Sequence, residues 1–377
     1  MFDSLAGPSL WVGMAAVIAR NAWLWRRDRA GALELRAARR APLPALARTP
    51  RVSVLVAAWN EAAWIEGHVE SVLSLRYPEL EYVLCAGGSD GTYGLAIRYA
   101  RPGVVVLEQR AGEGKQAALR RCLARASGEI VFLTDADCVL DDATFERTLG
   151  PVIGGEAEAS TGGLHPLPRQ AGRSVLATYR GAVDTYTVGR GPAWAAGLVG
   201  ANAAVTRRAL AGAGNLEADV PTGTDYHLAK SLVAARVRIR QVRTSRVATA
   251  YPESTSAYMR QQRRWLRNVT VLGRRFGDRS GMARSLTTSL LAVGMLVGPA
   301  AAWWCGPAVL SVWAIAILHA SLSKARYCGF AALADGDWPP GAVERCLAAV
   351  VPLTFVELVA GASPLLDYAA PWREASW

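Results

Sequence analysis

The sequence predicts an α/β domain with a mostly parallel sheet, flanked by transmembrane helices. Three observations predict it. Short apolar strands alternate with helical spacing between residue 50 and about 277, the rhythm of βαβ units. Long apolar runs stand on either side, at 5–25 and from 286 onward. Basic residues crowd beside those runs, at 26–40 and 260–284, as they do on the inner side of membrane proteins.

Composition bounds the classes. The 377 residues leave room for two to three units. Apolar residues make up 51% and charged residues 19%, with a mean hydropathy of +0.15, more apolar than an ordinary soluble enzyme. The middle is too charged for a pure transporter, and the apolar content excludes disorder. The six cysteines are scattered without short spacing, which excludes a disulfide scaffold, a zinc knuckle and a C-x-x-C redox site, and predicts reduced thiols. A net charge of +11 fits a nucleic acid, an anionic membrane or an anionic substrate. No zinc-finger, RRM or basic-aromatic stripe is visible, so no nucleic-acid partner is expected and membrane lipids are.

The elements follow in order. Residues 5–25 are long enough to cross a ~30 Å core, with Arg20 snorkelling and Trp23 and Trp25 at the border. Asp3 precedes this run and the arginines follow it, so it is no cleavable signal peptide, and the N-terminus is expected outside. An amphipathic surface helix is the alternative reading. Residues 286–322 read as two crossings that turn near Gly306-Pro307, with Trp303 and Trp304 at the far interface. Residues 347–366, carrying Pro352 and Glu357, read as a further span or a broken interfacial segment. The expected organisation is a transmembrane helix at 1–28, a basic Pro-rich linker at 29–49, the α/β domain at 50–277 with an interfacial helix at 254–276, and a C-terminal region of two to three spans at 283–377. The chain is placed in the cell inner membrane as a multi-pass protein, its α/β domain cytoplasmic.

Within the domain, strands are expected at 52–58, 81–85, 104–107 and 130–133, and helices at 61–75, 92–100 and 115–126. Ligands of such sheets bind beyond the carboxyl ends of the strands. Asn60 and Glu61 lie there, as do residues 87–90 and the pair Asp135 and Asp137. Two acids directly after the apolar strand Ile-Val-Phe-Leu repel each other, and a divalent cation removes that conflict. Mg²⁺ or Mn²⁺ takes hard oxygen ligands, commonly one or two carboxylates plus substrate phosphates.

Four motifs occur in order: V-S-V-L-V-A-A-W-N-E at 52–61, S-D-G-T at 89–92, T-D-A-D at 134–137 and Q-Q-R-R-W at 261–265, with Thr224-Asp225 before the last. The ordered set resembles a family 2 glycosyltransferase of the GT-A fold, Rossmann-like, in the membrane-embedded branch of the cellulose, chitin and hyaluronan synthases. The resemblance covers about 50–270 and implies the following. Asp225 is the catalytic base. Glu61, Asp90, Lys115, Asp135, Asp137, Gln261 and Arg264 bind the donor, and Asp137 and Asp135 hold Mg²⁺ or Mn²⁺. Trp265, Gly200 and Asn202 meet the acceptor. The partners implied are a nucleotide-sugar donor, usually UDP-linked, and a glycan or lipid acceptor; an oligomer or partner subunit is left open.

The chain departs from the family pattern in two places. Cys85 and Ala86 stand where paired aspartates usually meet the base, so the pattern does not name the nucleotide. Thr224 stands where an acid usually precedes the catalytic Asp. The four histidines form no metal spacing, although His227 lies two residues from Asp225. Two alternatives follow: a non-catalytic nucleotide-sugar-binding membrane subunit, suggested by those lost acids, and a polyprenyl-phosphate sugar transferase, whose relatives generally lack Q-x-x-R-W.

Overall fold

The computed structural model describes residues 7–43, 45–220, 222–306, 308–363 and 365. The start of the expected first span, Pro307 of the expected turn and the end of the last apolar run lie outside them. In chain order the elements are α1 (Pro8–Arg40), β1 (Val52–Trp59), α2 (Ile65–Leu73), β2 (Leu80–Gly87), α3 (Thr92–Ala96), β3 (Val104–Glu108), α4 (Gly114–Arg125), β4 (Ile130–Leu133), β5 (Cys138–Val139), α5 (Asp142–Ile153) and β6 (Ala159–Pro166). Then come α6 (Pro168–Ala171), α7 (Val175–Arg190), β7 (Trp194–Ala195), β8 (Ala203–Thr206), α8 (Arg207–Gly212), α9 (Thr224–Ala234), β9 (Ile239–Thr249), α10 (Thr255–Arg275), α11 (Arg279–Cys305), α12 (Ala308–Asp335), α13 (Ala342–Ala348) and α14 (Val350–Ala362). They group into two units. One joins Ala37–Leu167 to Thr187–Ala250; the other joins the N-terminal helix as far as Arg36, Pro168–Tyr186 and the chain from Tyr251 onward.

The first unit holds all nine described strands in one sheet. β1 lies between β2 and β4, β3 lies outside β2, and these four strands are parallel. Strands covered on both faces read as continuous apolar runs, as V-S-V-L-V and I-V-F-L do. Successive side chains point to opposite faces. Val52, Val54, Val56 and Phe132 therefore pack with Ile65 and Val69 of α2 and Phe145 and Leu149 of α5. Leu55, Val83, Cys85 and Val131 pack with Ala118 and Cys122 of α4 and Leu228 and Leu232 of α9. Beyond β4 the sheet becomes mixed: β8 runs antiparallel to β4 and to β6, while β6 and β9 are parallel. The parallel expectation describes the first half, where every strand returns through a helix.

The second unit is helical. Among the described residues two helices, Arg279–Cys305 and Ala308–Asp335, are long and apolar enough to cross a membrane, and α13 with α14 make a third if that pair, bent by 74°, is one span. The chain turns between α11 and α12 at Gly306, whose φ of +88° suits a residue without Cβ. α1 does not join the membrane-length set, since Arg20 and Asn21 interrupt its apolar stretch.

Three expectations about organisation need correction. Residues 29–40 are not linker: α1 is one helix of 33 residues, built there from good helix formers. It is fixed by Ala32 and Leu35 packing on Phe330 and Ala334. Arg326 also donates to Asp28 at 2.9 Å and 2.8 Å. The stretch 50–277 is not a single body, because Pro168–Tyr186 and the chain from Tyr251 belong to the helical unit. α10 matches the expected interfacial helix to within a residue at each end, but it too lies in that unit.

Candidate active site

The carboxyl ends of β1, β2 and β4 bring the expected acids of the sheet unit together. Asn60 ends β1 in a left-handed conformation, with φ of 58°. Its Oδ1 accepts from Ser89 N at 2.8 Å, which ties the end of β1 to the end of β2. Gly88 is required at that contact: a Cβ there would lie 2.2 Å from Asn60 Oδ1. Glu61 follows, its N–H donating to Thr92 Oγ1 at 2.8 Å.

Asp135 and Asp137 leave β4 into the same region. Lys115, in the first turn of α4, donates to Asp135 Oδ1 at 2.6 Å and lies 3.9 Å from Asp225 Oδ1. Burial disfavours its charge, yet Asp135, Asp225 and Asp137 outweigh that and hold the ammonium well above its usual range. One side chain thus bridges the T-D-A-D motif and the expected base. Asp225 sits in the first turn of α9, where the helix N-terminus favours a carboxylate. It lies against Gly200: a Cβ at that glycine would come within 2.1 Å of Asp225 Oδ1. Any larger residue at 200 would push the carboxylate away.

The cluster is short of positive charge. Burial, then the charges of Asp137 and Asp135, push the Glu61 carboxyl up to about 7. Burial, then Asp135, raise Asp137 to about 6, although Lys115 and a hydrogen bond from Thr249 pull it down. Among the described residues no group of three or more His, Cys, Asp or Glu is spaced to enclose a metal by itself. Two adjacent carboxylates, with the remaining positions open to phosphate oxygens, fit Mg²⁺ or Mn²⁺, which keeps few protein ligands in nucleotide sites. The raised carboxyl pKa values are the strain that such a cation relieves.

Other expected site residues stand differently. Asp90 caps a turn: Oδ1 accepts from Thr92 N at 3.0 Å and Thr92 Oγ1 at 2.5 Å, and Oδ2 from Ala62 N at 2.9 Å. Burial opposes its charge, but those bonds hold its carboxyl below the usual range. These bonds make it a clasp between the β1 and β2 ends. Asn202 is corrected from acceptor contact to core residue. It is fully buried, donates to Gly163 O at 3.1 Å and Ser245 Oγ at 3.1 Å, and accepts from Thr148 Oγ1 at 2.8 Å. His227 is buried on α9. Gln261, Arg264 and Trp265 lie on α10 in the helical unit, where the Arg180 guanidinium sits 5.1 Å from the Trp265 ring centroid.

Sequence reasoning missed four residues. Gln116 donates to Ala218 O at 2.8 Å and, with Arg120 reaching Glu217 O, ties α4 to the loop that leads to Asp225. Arg180 appears in no motif. Gln109 follows β3 as an ordinary polar residue and is almost wholly buried. An amide two residues beyond an apolar strand was the only available signal.

A half-parallel sheet with acids at the carboxyl ends of its parallel strands and a lysine among them is the arrangement of a GT-A fold. Residues 53–177 match glycosyl transferase family 2, and residues 130–325, half of the chain, match glycosyl transferase family group 2. The chain belongs to the family 2 glycosyl transferases. It is 34% identical over 93 residues to a poly-beta-1,6-N-acetyl-D-glucosamine synthase of Staphylococcus epidermidis, a stretch that is 24% of this chain and 23% of that relative. It is 31% identical over 104 residues to the putative glycosyltransferase EpsE of Bacillus subtilis, covering 26% of this chain and 36% of that relative. The chain therefore matches only about a quarter to a third of the length of these curated relatives. A mannosyltransferase from Pyrobaculum calidifontis, solved in complex with GDP-Man and Mn²⁺, shares the fold over 95% of this chain and 98% of its own, with a TM-score of 0.52 and 19% identity.

Proposed function

We propose that the protein is a membrane-bound inverting glycosyltransferase that moves a sugar from a nucleotide-sugar donor, UDP-linked by preference, to a polysaccharide or lipid acceptor. The observation that carries this reading is Lys115, whose ammonium meets Asp135 and reaches Asp225, so that the carboxylates expected on the donor and acceptor sides share one cation. Asp225 takes the proton of the acceptor hydroxyl as its oxygen attacks the anomeric carbon from the face opposite the leaving diphosphate, which inverts the configuration. A positioned carboxylate base contributes ~10²–10⁴ in rate. Asp137 and Asp135 are the residues that would hold Mg²⁺ or Mn²⁺, whose charge would offset the negative charge growing on the leaving group. Lys115 adds a fixed positive charge beside Asp135. Glu61 stands at the β1 end, where the resemblance places the nucleoside, and Gln261, Arg264 and Trp265 keep the diphosphate and acceptor roles that the resemblance assigns them.

The test is turnover of a panel of UDP- and GDP-sugars by the purified full-length protein with Mn²⁺ or Mg²⁺, the products read by mass spectrometry. Sugar transfer, or hydrolysis where no acceptor is supplied, is the expected result. Nucleotide binding without any turnover would make the chain a binding subunit instead. The orientation, with the sheet unit cytoplasmic and Gly306 outside, is tested with Cys305, the exposed cysteine among six otherwise buried ones. A membrane-impermeant thiol reagent should label Cys305 from outside intact cells, and a Ser89→Cys variant should gain no second label. The reverse pattern would reject the orientation.

A further inference from the structure

β2 and β3 run parallel, with Cys85 opposite Leu107 and Ala86 opposite Glu108. Gln109 continues that register, its N–H donating to Ala86 O at 2.7 Å. Side chains alternate along a strand, so Gln109 faces the same side as Leu107 and Cys85, the side covered by α4. Gln109 is 6% exposed. Its Nε2 donates to Gly114 O at 3.5 Å, one residue before Lys115, and this contact sets which end of the amide is which. Its Oε1 is buried and has no hydrogen-bond partner. Next to it Gly87 leaves no space for a side chain: a Cβ there would lie 2.9 Å from Gln109 Cβ and 2.9 Å from the Trp59 ring.

A buried acceptor without a donor is destabilising, so a native fold keeps one where something else supplies the donor. Here the orphaned carbonyl stands at the strand end where the family pattern carries acids toward the base and this chain carries Cys85 and Ala86, both fully buried and neither a carboxylate. The Trp59 ring stands on the same side, since a Cβ at Gly87 would meet both it and Gln109. We infer that Gln109 reads the nucleobase of the donor, its Oε1 accepting a base N–H beside the Trp59 ring. The inference rests on the reading of this pocket as a nucleotide-sugar site. It makes Gln109 a specificity-determining residue, with an uncharged acceptor doing what a carboxylate does in the family pattern.

Uracil has a single N–H, at N3, so UDP and N3-methyl-UDP are the deciding probes, compared by calorimetry on the full-length protein with Mn²⁺. The parent should bind UDP about tenfold or more tightly than the methylated probe, the weight of one hydrogen bond with a buried partner. Gln109→Met should bind the two alike. Gln109→Glu, which keeps an acceptor and the shape, should retain the preference. Inorganic pyrophosphate, which has no base, should bind parent and variants equally. A parent indifferent to methylation, a Met variant that keeps the preference, or a parallel loss of pyrophosphate binding would each overturn the inference. A parent that binds no nucleotide with Mn²⁺ would overturn the donor reading itself, and this inference with it.

Discussion

In the helical unit Asp28 meets Arg326 at 2.8 Å with side chains only 3% and 10% exposed, and Asp184 meets Arg180 at 2.7 Å. In the sheet unit Glu61, Asp135 and Asp137 press on one another with Lys115 among them. The helical unit pairs these acids with bases one to one; the sheet unit gathers acids faster than it neutralises them. The Asp28–Arg326 pair ties α1 to α12, the Arg180–Asp184 pair braces one face of α7, and such matched pairs leave little for a ligand to gain. A crowded acid cluster lowers stability, and it persists where a bound cation or a reacting group uses it. The difference separates structural charge from chemical charge, and it can be broken from either side.

The largest effect is expected at Asp137. Asp137→Ala should lower turnover about 10³-fold or more, the scale of losing a main electrostatic stabiliser, while circular dichroism shows an intact fold. Excess chelator should reproduce that loss on the parent and Mn²⁺ should reverse it; full turnover in chelator would remove the metal from this reading. Asp28→Ala should act on the other side of the comparison. It strands the buried Arg326 and should cost about 3–5 kcal/mol in unfolding free energy, measured in detergent, with donor affinity unchanged in the folded fraction. A variant as stable as the parent would show that the helical pair is not a structural clamp.

Asp225→Asn keeps the shape but cannot accept a proton, so sugar transfer should fall about 10²-fold or more with donor affinity nearly unchanged. Transfer at the parent rate would point to another base, with His227 next to test. The smallest effect concerns pH. Burial first, then Asp137 and Asp135, lift Glu61 to about 7 from its usual 4.5. The folded chain then holds a proton that the unfolded chain has already released. The cost is absent below pH 4.5, grows as pH climbs toward 7, and is complete above it. Glu61→Gln should therefore gain melting temperature over the parent at pH 8 and not at pH 4.5 when metal is absent. A gain of equal size at both pH values would assign the effect to packing. His68 works in the opposite sense: burial outweighs its bond to Cys138 O and pulls it to about 4, so its contribution fades as pH falls from 6.5.

The local elements were legible before any coordinates. Short continuous apolar runs and helical spacing placed β1 to β4 and α2 to α4 within a few residues, because burial on both faces of a strand or one face of a helix leaves its pattern in the chain. Motif order pointed to the family because T-D-A-D follows a buried strand and Thr224-Asp225 opens a helix. Relationships between distant residues left no such trace. Whether Asp90 meets a ligand or clasps Thr92 and Ala62, and whether Asn202 faces a pocket or the core beside Ser245, depends on long-range packing that no periodicity encodes. The extent of α1 through Arg40 was hidden because its arginines read as linker until Asp28 met Arg326. Sequence alone determined β1 to β4, α2 to α4, α10 and the apolar run from 286, since those follow from propensity and pattern over neighbouring residues. Only the tertiary structure decided which acids share Lys115 and that the Gln109 carbonyl is left without a donor, since these are set by distances across a folded sheet.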